Sequence, residues 1–198
     1  WRHPPAARAF VELAKDRGAE AARLAVGANF RLIGAELRAS GVTVDCAPVL
    51  DIPVTNANPL PGGRALGSEI GLIEVLGRAA CSGLLDSGVL PVIKHMPGHG
   101  RALVDSHFQM PLVEASLSDL KETDFEPFRR LAEQPFGMTA HVVYSAIDES
   151  QPATLSSKVI SEVIRDYIGF NGLLVSDDLS MKALSGSLNE RTEAALLA

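Results

Sequence analysis

The stretch VLPVIKHMPGHGRALVDSH, Val89 to His107, changes character midway. Val89 to His95 is a short run, apolar until its last two residues, and reads as a strand buried on both faces. From Lys94 onward, fourteen residues hold three His, one Lys and one Asp, with Pro97, Gly98 and Gly100 set among them. Such breakers forbid a regular helix or strand. Chemistry therefore begins where a buried strand ends.

Working outward, the same pattern repeats. VTVDCAPVLD, from Val42, reads as a strand ending at Asp51; FGMTAHVV, from Phe136, as a third that delivers His141; and GLLVSDD as a fourth ending at Asp177 and Asp178. Helical spacing covers Pro4 to Asp16 and Gly18 to Ala39, with Gly41 as a stop. Further helices are expected from a Ser68 cap to about Asp86, from Ser118 or Thr123 through Leu131, from Ser156 through Tyr167, and from about Asn189. A Pro/Gly/Asn-rich loop fills 56–67. Helices alternating with short strands apolar on both faces predict an α/β protein with a parallel sheet, built as one domain.

In parallel α/β folds, sites form at the carboxyl ends of the strands. Here Asp51, Lys94 with His95, His141, and Asp177 with Asp178 all fall at such ends. Each alone has a structural explanation, because a strand-terminal Asp often caps the next helix. Together they predict a site.

Two chemistries fit the loop. His95, His99, Asp105 and His107 are good metal-ligand types, but they match no diagnostic ligand spacing. Asp105 and His107 suit acid/base work instead. In an extended loop, residues two apart share a side, and a carboxylate beside an imidazole fixes its tautomer and supports its charged form. A turn in which Asp105 accepts backbone N–H groups is the competing reading.

Composition narrows the partners. The net charge is −6, no Lys/Arg run forms a basic stripe, and no apolar run reaches membrane-spanning length, so neither nucleic acid nor membrane is expected. Cys46 and Cys81 lie far apart in apolar segments and read as buried free thiols, which favours a reducing compartment. The chain begins at Trp1 and stops inside a helix pattern, so a fragment is expected.

Lys94-His95-Met96-Pro97-Gly98-His99-Gly100 followed by Asp105-Ser106-His107 resembles the family 3 glycoside hydrolases, in particular the bacterial β-N-acetylglucosaminidases of the NagZ type. DCAPVLD (Asp45 to Asp51), GGR (Gly62 to Arg64), MTAHVVY (Met138 to Tyr144) and GFNGLLVSDDLSM (Gly169 to Met181) extend the resemblance over nearly the whole chain. It implies a (β/α)8 TIM barrel, of which residues 1–198 would supply the fourth to seventh strands and be truncated at both ends. It also implies a retaining mechanism that removes a terminal β-linked N-acetylglucosamine, with no cofactor and no metal. Asp177 matches the nucleophile, His107 the acid/base and Asp105 its orienting partner. Arg64, Lys94 and His95 match positions that hold the sugar, and Asp51 and His141 are expected as neighbours. His99 is expected to fix the loop, and Asp178 to point away from Asp177. The implied substrate is a small carbohydrate, an N-acetylglucosaminyl anhydro-muropeptide of peptidoglycan recycling in the bacterial cytoplasm.

The chain departs from the family pattern at Gly63, Leu66 and Gln109, in GGRALG and DSHFQMP. Rival readings are a phosphorylase of the same family, a β-glucosidase, which would lack the D-S-H loop, a non-catalytic carbohydrate-binding remnant, and a metal hydrolase.

Overall fold

The computed structural model describes residues 3–54, 63–104, 106 and 108–198. Among these residues six strands form: β1 (Val44–Asp45), β2 (Leu90–Met96), β3 (Leu112–Val113), β4 (Phe136–Thr139), β5 (Val143–Tyr144) and β6 (Leu173–Ser176). Four make one sheet in the order β1-β2-β4-β6, every pair parallel, with Val44 opposite Leu90, Val92 opposite Phe136, and Phe136 opposite Leu173. Parallel neighbours need crossovers, and helices supply them. After α1 (Ala7–Arg17) and α2 (Ala19–Ala39), α3 (Ile70–Asp86) links β1 to β2. Then α4 (Leu117–Glu122) and α5 (Glu126–Arg130) link β2 to β4, and a π-helical stretch, Val159–Tyr167, leads into β6. The terminal helix is α6 (Leu188–Leu197).

This is the expected α/β architecture with its parallel sheet. In β2, Val92 and Ile93 point to opposite faces and both are buried, which explains why that strand carries no polar alternation. The core gathers Leu50, Ile93, Met96, Phe125, Phe128, Tyr144 and Phe170. Helix α2 packs against α3 at glycine: a Cβ on Gly83 would sit 2.5 Å from the Gly27 carbonyl oxygen. Among the described residues no helix is long and apolar enough to cross a membrane.

Several boundaries differ from the sequence reading. The first strand is regular only at Val44–Asp45, but beyond it the Ala47 and Pro48 carbonyls still accept from Val92 and Lys94 N–H at 3.0 and 3.2 Å, and a Val49–Lys94 bridge follows. Leu50 N–H then donates to the Lys94 carbonyl at 2.8 Å, so Asp51 still arrives at the sheet's carboxyl edge. The third strand stops at Thr139, because the chain turns away and pairs Val143–Tyr144 with Leu112–Val113 instead. Ser68 does not cap α3; Glu69 occupies that position without a capping bond. Ser116, not Ser118 or Thr123, caps α4 by accepting from Asp119 N–H at 3.1 Å. The Thr123 hydroxyl donates to the Asp119 carbonyl at 2.6 Å and so closes α4 rather than opening a helix. Ser156 does act as a cap, accepting from Val159 N–H at 3.1 Å, and α6 starts at Leu188 with a Ser187–Glu190 capping box.

Cys81 is buried, and burial pushes its thiol up to about 12. Cys46, in contrast to the expectation, is exposed. It follows β1, one of the two outer strands of the sheet, so no strand covers its far side among the described residues.

Candidate functional site

The site grows from Asp51. Its side chain is fully buried at the end of the segment that rejoins β2, and a buried carboxylate needs donors. Three arrive: His95 Nδ1 lies 2.7 Å from Oδ2, while the backbone N–H groups of His95 (3.2 Å) and His99 (2.8 Å) donate to Oδ1. Burial alone would raise this carboxyl, but the attraction and hydrogen bonds of His95 and His99 outweigh it and hold it below its ordinary value. An ionised Asp51 accepts only, so the proton of His95 sits on Nδ1. Nε2 lies on the side of Asp177, whose Oδ2 is 3.8 Å away.

Asp177 follows β6 directly. Its side chain keeps 17% of its surface exposed, and its Oδ1 accepts from Asp178 N–H at 2.9 Å. Asp178 is exposed, and its Oδ1 accepts from Ser180 N–H at 2.8 Å. It turns toward the next loop, as expected, so the two adjacent carboxylates serve different partners. The loop beyond is held by Arg191 of α6, whose guanidinium donates to the carbonyls of Leu179 (2.7 Å), Met181 (3.2 Å), Leu184 and Ser185 (3.4 Å).

Arg64 and Lys94 line one cavity of about 440 Å³, together with Asn29, Phe30 and Cys46. Lys94 also lies close enough to Asp45 to oppose the rise that burial imposes on that carboxyl. Two of the three expected sugar-binding positions thus share a cavity, while the third, His95, sits beside Asp177. Asp105 and His107, and the 55–62 part of the polar loop, lie outside the described residues. Among the described residues, no group of three or more His, Cys, Asp or Glu could hold a metal ion.

The loop after β2 is tied down at its start. Tyr144, fully buried, donates its hydroxyl to the Gly98 carbonyl at 2.7 Å. Arg101 donates to Asp124 Oδ2 (2.7 Å) and to Thr123 Oγ1 (3.0 Å). The glycines here permit close packing. A Cβ on Gly100 would fall 1.8 Å from the Ile52 carbonyl oxygen, which is backbone and cannot swing aside. Gly100→Ala should accordingly destabilise the fold by about 2–4 kcal/mol, read as a lowered denaturant midpoint. An unchanged midpoint would contradict this packing.

His99 plays the fixing part expected of it. Besides its N–H bond to Asp51, its Nε2 lies 3.3 Å from the hydroxyl of Ser106, the central residue of D-S-H. Burial holds its imidazole below the ordinary 6.5, and burial does the same to His141. With folded values depressed, the unfolded chain binds more protons below pH 6.5, so stability present above that pH is lost as acid is added. The expected slope is up to about 1.4 kcal/mol per pH unit for each histidine. Denaturant midpoints measured between pH 7.5 and 5.5 should fall, and substituting either histidine with glutamine should flatten the curve.

A parallel α/β sheet with Asp51, His95 and Asp177 gathered at the carboxyl ends of its strands defines the α/β class in which polar groups collect at that edge. Comparison with known proteins places the chain within that class. It belongs to glycoside hydrolase family 3, matching "Glycosyl hydrolase family 3 N terminal domain" over residues 5–198. It is similar to the Beta-hexosaminidase of Alkalilimnicola ehrlichii, at 42% identity over 83% of this chain and 48% of that protein. The Beta-hexosaminidase of Bordetella avium is 36% identical over 98% of this chain and 56% of its own length. Its fold matches the crystal structure of NagZ from Neisseria gonorrhoeae in complex with N-trifluoroacetyl-D-glucosamine, with a TM-score of 0.90 at 33% identity, covering 98% of this chain and 57% of that one. M tuberculosis LpqI is similar at a TM-score of 0.83 and 34% identity, over 97% of this chain and 56% of that one. The chain spans about half the length of the curated relatives it matches. Its fold class is that of these neighbours, α/β of the TIM-barrel type, here with four parallel strands in the main sheet of the described residues.

Proposed function

We propose that the protein carrying this chain is a retaining exo-β-N-acetylglucosaminidase, with residues 1–198 forming part of its catalytic barrel. The observation that carries this is Asp177 at the end of β6, with a partly exposed carboxylate 3.8 Å from a histidine that Asp51 orients. The names of the relatives support it, and so does the N-acylated glucosamine held by the gonococcal NagZ.

The mechanism is a double displacement. An Asp177 carboxylate oxygen attacks the anomeric carbon as the bond to the leaving oxygen breaks, and His107 gives that oxygen a proton. Water then attacks the anomeric carbon, His107 takes the water's proton, and the Asp177–sugar bond breaks. Asp105 orients His107. Arg64, Lys94 and His95 bind sugar hydroxyls and need no cofactor. The resemblance carries the substrate further, to N-acetylglucosamine linked to anhydro-N-acetylmuramic acid in peptidoglycan recycling, and so to the bacterial cytoplasm.

Product analysis tests the reading. The full-length protein, given a terminal β-N-acetylglucosaminide with and without inorganic phosphate, should release free β-N-acetylglucosamine in both. Sugar 1-phosphate would make it a phosphorylase, α-configured product would remove the retaining mechanism, and binding without turnover would leave a carbohydrate-binding remnant.

A further inference from the structure

His141 sits at the turn after β4 and is 1% exposed. Its Nε2 lies 3.0 Å from the Asp178 carbonyl oxygen. A carbonyl only accepts, so Nε2 carries a proton. Its Nδ1 lies 2.8 Å from the hydroxyl of Thr154, itself 2% exposed. A neutral ring then presents a lone pair at Nδ1, which Thr154 must fill with its single proton.

That proton has a competing acceptor, the Ala140 carbonyl at 3.0 Å. The Ala140 carbonyl is already served by the Thr154 backbone N–H at 3.2 Å. Thr139, 3% exposed, directs its own hydroxyl at Thr154 Oγ1 at 2.9 Å, nearer than its alternative, the Val175 carbonyl at 3.5 Å. Every proton then runs one way: Thr139 to Thr154, Thr154 to His141 Nδ1, and His141 Nε2 to the Asp178 carbonyl. A buried chain aligned in one direction is cooperative and stiff.

Its end point matters. Asp178 is held at its carbonyl by His141, and its N–H holds Asp177 Oδ1 at 2.9 Å. Oδ2 is left on the side of His95, 3.8 Å away. We propose that Thr139, Thr154 and His141 form a buried hydrogen-bond relay that positions Asp177 for attack through the Asp178 backbone. His141 is thus a positioning residue and touches no substrate atom. The inference rests on Asp177 being the nucleophile.

The test combines a spectroscopic signature with kinetics on the full-length protein. In the 15N-histidine-labelled wild type, ring nitrogen shifts should place the His141 proton on Nε2. Thr154→Val removes the donor to Nδ1 while keeping the side chain's shape. It should shift the His141 ring signals and lower kcat on an aryl N-acetyl-β-glucosaminide by about tenfold or more, with KM within about twofold. Thr154→Ser should restore both. A proton on Nδ1 in the wild type would overturn the relay, and that measurement needs no variant to fold. Wild-type kcat in Thr154→Val, with the ring signals moved, would overturn the positioning role alone. A wild type with no turnover would sink the nucleophile reading and the proposal with it.

Discussion

Asp177→Ala in the full-length protein should lower kcat/KM for an aryl N-acetyl-β-glucosaminide by at least about 10⁴-fold, because the covalent route then has no nucleophile. The substitution spares the fold. Among the described residues Asp177 Oδ1 accepts from the neighbouring Asp178 N–H, and the side chain is partly open to solvent. Melting curves of variant and wild type should therefore nearly coincide, and the sugar should still bind, since Arg64, Lys94 and His95 are untouched. Residual activity within about tenfold of wild type would remove Asp177 from the chemistry.

Asp51→Ala should damage both stability and activity. The carboxylate is 0% exposed and accepts from His95 Nδ1, His95 N and His99 N. Alanine leaves three donors without that acceptor, two of them buried and the third partly so, a loss of about 3–5 kcal/mol of stability. It also releases His95 from its Nδ1–H tautomer, and with that the direction in which Nε2 faces Asp177. In whatever fraction stays folded, kcat/KM should fall by about a hundredfold or more. If Asp51→Ala instead kept wild-type stability, the buried cluster at the strand ends would not be what holds this edge together.

Which parts of the site the sequence could show follows from where the signals lie. Asp51, Lys94, His95 and Asp177 end or follow short apolar runs, and a polar residue closing such a run is visible in one dimension. Strand β2, read as Val89 to His95, was legible to within one residue at each end for the same reason. The end of β4 was not: Ala140, Val142 and Val143 continue the apolar run past Thr139, and only the tertiary pairing of Val143–Tyr144 with β3 decides that the chain has already turned. Thr154 and Arg191 were invisible for a different reason. Each bonds backbone carbonyls or a ring from distant segments, and a carbonyl has no sequence signature. The role of Gly100 was not legible because a glycine that loosens a loop and one that admits a backbone within van der Waals contact look identical in a sequence.

The same contrast explains the two cysteines. Both lie in apolar surroundings in the sequence, but Cys81 falls on the core side of α3 and Cys46 just beyond the outer strand. Hydrophobic neighbours report burial only where the fold places another element on the far side.

The central claim is that Asp177 forms a bond to the sugar. The most direct measurement is the intact mass of the full-length protein after incubation with a slowly turned-over fluorinated N-acetylglucosamine analogue, followed by peptide mapping. A mass increase of one glycosyl unit on the peptide bearing Asp177, absent from Asp177→Ala, is the predicted result. Rapid turnover of an ordinary aryl glycoside with no adduct, or an adduct on another residue, would contradict it.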